Sequence, residues 1–114
     1  MLVDADPEFG GENKGPLPKP LVLTSLSGCT GMDVVALLKK MRVDHKDFSI
    51  EIEAALTDEH PKYYNKIHVV YRVQVEQKDE AKFIKAVDLS QERYCGVSYM
   101  LSQSSELTYE VVFI

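Results

Sequence analysis

Apolar and polar positions alternate with a period of two in two neighbouring runs. Phe48, Ile50, Ile52, Ala54 and Leu56 alternate with Ser49, Glu51, Glu53 and Ala55. This is the pattern of a half-buried strand with a charged outer face. Ile67, Val69, Tyr71, Val73 and Val75 alternate in the same way with His68, Val70, Arg72, Gln74 and Glu76. The polar stretch 57–65, containing Asp58, Glu59, His60 and Pro61, joins the two as a long hairpin connection. Leu107, Tyr109, Val111 and Phe113 repeat the alternation and predict a last strand.

Elsewhere the pattern is helical. Pro20 suits the first turn of a helix, where its missing N–H has no partner to lose, and the helix is predicted to run from residue 21 to about 42. Leu23, Leu26, Met32, Val35, Leu38 and Met41 surround much of it, so it is expected to be covered on most sides. Asp79 introduces a second long helix, to about residue 103, with a stripe of Phe83, Ile84, Val87, Tyr94, Val97 and Leu101. Gly96 falls inside that stripe and predicts a bend or a close approach. Residues 1–20, with Gly10, Gly11, Gly15, Pro16, Pro18 and Pro20, read as a lead-in loop with a short strand at residues 1–3. The order helix, two strands, helix, strand predicts an α+β fold, two long helices packed on one side of an antiparallel sheet. The chain of 114 residues is expected to form one domain, 1–114.

Charge narrows the function. Thirteen Lys and Arg against eighteen Asp and Glu give a net charge of −5, which argues against nucleic acid or an anionic membrane as partner. Lys39, Lys40 and Arg42 read as the cationic end of a helix. Residues 21–38 carry a single formal charge, Asp33, and meet the length criterion for a membrane span. Their polar middle, with Thr24, Ser25, Ser27, Gly28, Thr30 and Gly31, favours a buried helix of a soluble domain, so no membrane partner is expected. The acidic start, residues 1–11, lacks the features of a secretory signal. With two cysteines and no CxxC pair, a reducing cytoplasm is the expected location.

Candidate chemistry centres on those cysteines. Cys29 lies among Gly28, Thr30 and Gly31, and Cys95 between Tyr94 and Gly96. Small neighbours leave room for a substrate at each sulfur, whereas the plainer reading makes each cysteine a small buried hydrophobe. Asp33 shares a helix face with Cys29. A carboxylate there opposes thiolate formation, so Asp33 reads as a helix–helix or dimer contact. His60 on a turn and His68 on the polar face of a strand lack a third ligand at recognisable spacing, and His45 stands alone. No metal and no cofactor are expected. Tyr94 and Tyr99 read as core or interface aromatics.

The segments Ser27-Gly28-Cys29-Thr30-Gly31-Met32-Asp33-Val34-Val35, Glu59-His60-Pro61, Lys66-Ile67-His68 and Leu89-Ser90-Gln91-Glu92-Arg93-Tyr94-Cys95, with Val97-Ser98, resemble the OsmC-like family. That family includes the osmotically inducible protein C and organic hydroperoxide resistance groups, and the resemblance is strongest to its "redox protein, regulator of disulfide bond formation" branch. It spans residues 3–114 and implies an intertwined homodimer with active sites near the subunit interface. In the peroxidase members a thiolate at the position of Cys29 attacks a hydroperoxide and becomes a sulfenic acid. The thiol at the position of Cys95 condenses with it, and a dithiol reductant reduces the resulting disulfide.

Two departures from the peroxidase pattern stand out. Those members use an Arg from an N-terminal strand and a Glu shortly before the first cysteine. Here no Arg precedes Arg42, the expected Glu position reads Pro18-Lys19-Pro20, and neither Glu12 nor Lys19 is an evident substitute. The chain also begins short of the family's usual first strand. Two functions fit these residues. One is a thiol-dependent redox protein reducing organic hydroperoxides through Cys29 and Cys95. The other is a non-catalytic dimer of the same fold that binds a small apolar ligand at the subunit interface.

Overall fold

The computed structural model describes residues 1–114. Helix α1 spans Pro18–Lys40, strands β1 and β2 span Lys46–Leu56 and Tyr64–Gln74, helix α2 spans Glu80–Leu89, helix α3 spans Gly96–Ser102, and strand β3 spans Glu106–Phe113. A 3₁₀ turn at Pro7–Phe9 lies in the lead-in segment. The strand expected at residues 1–3 does not form; Asp4 instead ties the segment together, its carboxylate accepting backbone N–H bonds from Ala5, Glu12 and Lys14.

The sheet has the order β1-β2-β3. The hairpin pair is antiparallel, with Ile52 opposite Val69. Strand β3 runs parallel to β2, with Tyr109 opposite Val69, so the sheet is mixed and the expected all-antiparallel sheet is corrected. Alternation reports which face a residue takes and is blind to strand direction. Direction follows from the connection: residues 75–105 form a helical crossover that carries the chain back to the starting edge, as parallel pairing requires.

One face of the sheet supplies the core. Ile67, Val69, Tyr71 and Val73 are fully or almost fully buried against Leu26, Val34 and Leu38 of α1 and Phe83, Ala86 and Val87 of α2. Gly31 sits where α1 meets β1; a Cβ there would lie 3.3 Å from Ile50 Cδ1. The outer face is polar, with Arg72 Nε donating to Glu51 Oε1 at 3.1 Å and His68 Nδ1 bonded to Thr108 Oγ1 at 2.7 Å.

Helix α1 is long and apolar enough to cross a membrane by length and composition alone. It packs as a domain helix, burying Leu26, Thr30, Val34 and Leu38 at four-residue spacing. Only that stripe is fully covered, with Leu23, Cys29 and Leu37 half-buried beside it. Met32 is 76% exposed and Val35 44% exposed, so within one chain the expected cover on most sides is absent.

The second long helix is also corrected. It is divided into α2, a π-helical turn at Ser90–Tyr94, and α3. Cys95 leaves the helix with φ −79° and ψ 102°, and Gly96 opens α3. The stripe of apolar residues continues in sequence because both helical pieces use the same spacing, which hides the break.

Helix α1 ends in a Schellman motif. The N–H of Val43 donates to Leu38 O at 2.9 Å and that of Arg42 to Lys39 O at 3.2 Å. Buried Val43 and Leu38 belong to the same core cluster. Arg42 holds the left-handed position at φ 58°, where glycine is the usual residue. Arg42→Gly is expected to raise unfolding stability by up to about 1 kcal/mol, seen as a higher urea midpoint with an unchanged slope.

Candidate active site

Cys29 lies midway along α1, half-buried, and Cys95 is buried at the start of α3. The placement of Cys95 follows from the π-helical turn. Its N–H donates to Ser90 O at 2.7 Å, one residue further back than in an α-helix, and the chain then leaves the helix at Cys95. Cys95 thereby becomes the N-cap of α3, its sulfur accepting the Ser98 N–H at 3.4 Å. A sulfur here fills the role usually taken by a Ser or Asp oxygen. The second helix predicted to run through Cys95 to residue 103 is therefore broken at that cysteine, and only Cys29 lies inside a long helix.

The fold brings the two sulfurs together. Cys29 Sγ, Cys95 Sγ and a carboxylate oxygen of Asp33 all lie within 4.8 Å of one another. Asp33 makes the helix-to-helix contact expected of it, accepting from Ser90 Oγ at 3.0 Å.

Behind this cluster runs a chain of buried polar groups. Gln91 Nε2 lies 2.6 Å from the Tyr71 hydroxyl, which lies 2.6 Å from Thr30 Oγ1, which in turn lies 2.7 Å from Ser90 Oγ. Each hydroxyl has one proton to give, so the carboxylate fixes the direction of the whole row. Ser90 donates to Asp33, Thr30 to Ser90 and Tyr71 to Thr30, leaving Tyr71 to accept from the Gln91 amide. Thr30, Tyr71 and Ser90 are fully buried, and all three are satisfied. The row joins α1, β2 and the π-helical turn, the same elements that set the cysteine positions. The sequence signal for it was present: Thr30 is a polar residue in the Leu26, Val34, Leu38 stripe, and Ser90 extends the Phe83, Val87 stripe.

Burial pushes the Cys95 thiol up from its ordinary value; the hydrogen bond donated by the Ser98 amide pulls it partly back, and neighbouring Cys29 adds to the rise. Burial likewise raises the Tyr71 phenol, and the bond donated by the Gln91 amide partly offsets the rise. It also raises the Tyr109 phenol, helped by the bond Tyr109 donates to Asp88 Oδ1 at 2.8 Å.

A cleft of about 530 Å³ opens beside Cys95, with Gln91, Arg93, Tyr94, Tyr99, Leu107 and Tyr109 in its walls. The Arg93 guanidinium stacks over the Tyr94 ring at 5.6 Å. Tyr94 and Tyr99 are 52% and 69% exposed, which removes the core reading for both. Lys19 is exposed, and Glu12 pairs with exposed Lys14 at 3.2 Å, so Glu12 and Lys19 take no part in the cluster. His60 and His68 stand outside it as well: His68 is engaged with Thr108, and its Nε2 lies 3.6 Å from Glu110.

Two outcomes follow. Thr30→Val leaves Tyr71 and Ser90 without their shared partner and is expected to cost about 1–3 kcal/mol by denaturant unfolding. The raised Cys95 thiol holds its proton in the folded state to a higher pH than in the unfolded chain. Its contribution to stability is intact below the unfolded thiol value of about 8.5. Above that the unfolded chain releases the proton first, so stability falls until the folded thiol also titrates. Cys95→Ala is expected to flatten this alkaline decline, measured as unfolding free energy against pH.

The cluster and its supporting fold can be compared with known proteins. The family model described as OsmC-like protein matches residues 11–110. Protein YhfA of Escherichia coli K12 is 35% identical over 102 residues, covering 88% of this chain and 76% of its own. A crystal structure of a hypothetical protein from Aquifex aeolicus aligns with a TM-score of 0.77 at 38% identity, covering 91% of this chain and 79% of that one. At 17% identity, a Legionella pneumophila structure described as an organic hydroperoxide resistance protein OsmC, predicted redox protein, shares the fold with a TM-score of 0.66, covering 95% and 77%. A family match over most of the chain, together with relatives above 30% identity, establishes that this chain belongs to the OsmC-like family.

Proposed function

We propose that the protein is a thiol-dependent redox protein that reduces organic hydroperoxides through Cys29 and Cys95. The observation that carries the reading is the pairing itself: a half-exposed sulfur and a buried one, on separate elements, within 4.8 Å. The family supports a redox role, and the Legionella relative is described in the same terms.

In this reading Cys29 is the attacking group, because it is the more exposed of the two. Its thiolate attacks the outer peroxide oxygen; the O–O bond breaks, and the departing alkoxide takes a proton to leave as the alcohol. Cys29 is then a sulfenic acid. The Cys95 sulfur attacks that sulfur as its thiol gives up its proton; the S–O bond breaks, and the departing hydroxide takes a proton and leaves as water, forming the disulfide. An S–S bond is about 2.05 Å long, so side-chain rotation with a small shift of the Cys95 turn closes the gap. An external dithiol returns both thiols, in keeping with a proposed cytoplasmic location. The aromatic cleft opens beside Cys95, the resolving thiol, with Arg93 at its wall.

A homodimer belongs to the same proposal. Met32, Tyr99 and Met100 are each more than 60% exposed, and Leu56 near the far end of the β1–β2 hairpin is 46% exposed. The chain measures 51 × 28 × 22 Å. A second copy would cover these surfaces. The alternative, an apolar-ligand binder, draws on the open groove along Gly28, Gly31, Met32, Val35 and Phe48, which is lined almost wholly by carbon.

The test is peptide mapping under non-reducing conditions after one equivalent of cumene hydroperoxide. The redox reading expects rapid Cys29–Cys95 cross-linking, and in Cys29→Ser an intact Cys95 thiol. Two intact thiols in the parent protein would reject it in favour of ligand binding. Light scattering is expected to give twice the 12.9 kDa chain mass; a monomer would reject the interface.

A further inference from the structure

We propose that in its reduced state the protein binds one zinc ion per chain through Cys29 Sγ, Cys95 Sγ and a carboxylate oxygen of Asp33. The inference concerns the resting dithiol and stands whether or not the protein reduces peroxides.

Three features make this a ligand set rather than a chance cluster. The first is composition: two sulfurs and one carboxylate oxygen are donors that zinc accepts together, with three protein ligands and a fourth position left for water. The second is spacing. Zn–S bonds of about 2.3 Å in a tetrahedron place the two sulfurs about 3.8 Å apart. All three donor atoms already lie within 4.8 Å of one another. The adjustment needed is about one ångström, within the reach of side-chain rotation.

The third feature is support behind the donors. Ligating carboxylates in zinc sites are themselves hydrogen-bonded, which holds the oxygen in place. Here Ser90 donates to Asp33 Oδ2 at 3.0 Å, and Ser90 is held in turn by Thr30, Tyr71 and Gln91. The Cys95 sulfur accepts the Ser98 N–H. The Ser98 hydroxyl is buried, with Ser98 only 1% exposed, and it lacks a hydrogen-bond partner of ordinary geometry beside that sulfur. A buried donor without a partner is rare, and a water in the fourth zinc position would give this one a partner.

The sequence alone could not show such a site. Cys29 and Asp33 lie one helical turn apart, which is ordinary ligand spacing, but the third donor is 62 positions further along the chain and reaches the other two only through the π-helical turn. Binding displaces the two thiol protons to solvent and leaves the oxidation state of the metal unchanged. Oxidation to the disulfide removes both thiolates, so the same event that forms the disulfide would expel the ion.

The test uses the full chain, reduced and stripped of metal with a chelator that is then removed, titrated anaerobically with cobalt(II) as a spectroscopic stand-in for zinc. The expected result is one equivalent bound, with a near-ultraviolet charge-transfer band of the strength given by two thiolates and the intense visible bands of tetrahedral cobalt. Zinc is expected to displace the cobalt and abolish both. Cys29→Ser and Cys95→Ser are each expected to lose the two-thiolate band, and Asp33→Asn and Ser90→Ala to weaken binding about tenfold or more. Diamide-oxidised protein is expected to bind none. Absence of the band in folded, reduced parent protein, checked by circular dichroism, would overturn the site. So would unchanged affinity in folded Asp33→Asn, since that result describes a bare dithiol.

Discussion

The arrangement depends on Thr30. Its hydroxyl sits in a helix stripe otherwise made of Leu26, Val34 and Leu38, and it is buried completely. A lone hydroxyl in that position would carry a desolvation penalty. Here it is the middle link of a row whose direction is set by the Asp33 carboxylate, and it ties α1 to β2 through Tyr71 and to the π-helical turn through Ser90. Packing alone could let α1 slide or rotate by a fraction of a turn against the sheet. A row in which every proton has one destination allows far less freedom, because any shift strands a buried donor or acceptor. Cys29 is the residue before Thr30, and Cys95 is hydrogen-bonded through its N–H to the carbonyl of Ser90. Fixing Thr30 against Ser90 therefore fixes one sulfur against the other.

The π-helical turn makes the second half of this possible. A regular α-helix through residues 90–95 would carry Cys95 onward along the axis of α2. The wider turn, followed by the extended backbone at Cys95, moves the sulfur to the head of a new helix, where Ser98 N–H holds it. Burial keeps Cys95 protonated, while Cys29 remains half-exposed on α1. The two thiols thus differ in access and in environment, which divides labour between an attacking and a resolving group in the redox reading. The same proximity gives zinc its two sulfur donors in the reduced state.

Much of this fold was legible in the residues. Alternation placed all three strands to within a few residues, and α1 was readable from Pro20 and the apolar positions that follow it. What escaped was directional or long-range. Strand β3 has the same alternation whichever way it runs, so its parallel pairing depended on the crossover. The break at Cys95 was masked because Val87, Tyr94, Val97 and Leu101 keep helical spacing across it. The family resemblance named Cys29 and Cys95, and the structure placed them together. Thr30, Tyr71 and Ser90 carried a weaker signal, as polar atoms at positions whose neighbours are all apolar; their connection spans 60 positions between Thr30 and Ser90. Pairing over such a separation follows from the tertiary packing and has no local pattern.

Cys29 and Cys95, held within 4.8 Å of one another, are proposed to work as a dithiol. Equilibrating the native protein across a series of glutathione redox buffers, and trapping the remaining thiols for mass analysis, puts that pairing to the test. A working pair gives a single transition between the dithiol and an intramolecular Cys29–Cys95 disulfide, with the protein folded on both sides and mixed glutathione adducts at trace level. Folded protein that keeps both thiols free in the most oxidising buffer, or that accumulates glutathione on each cysteine separately, would contradict it.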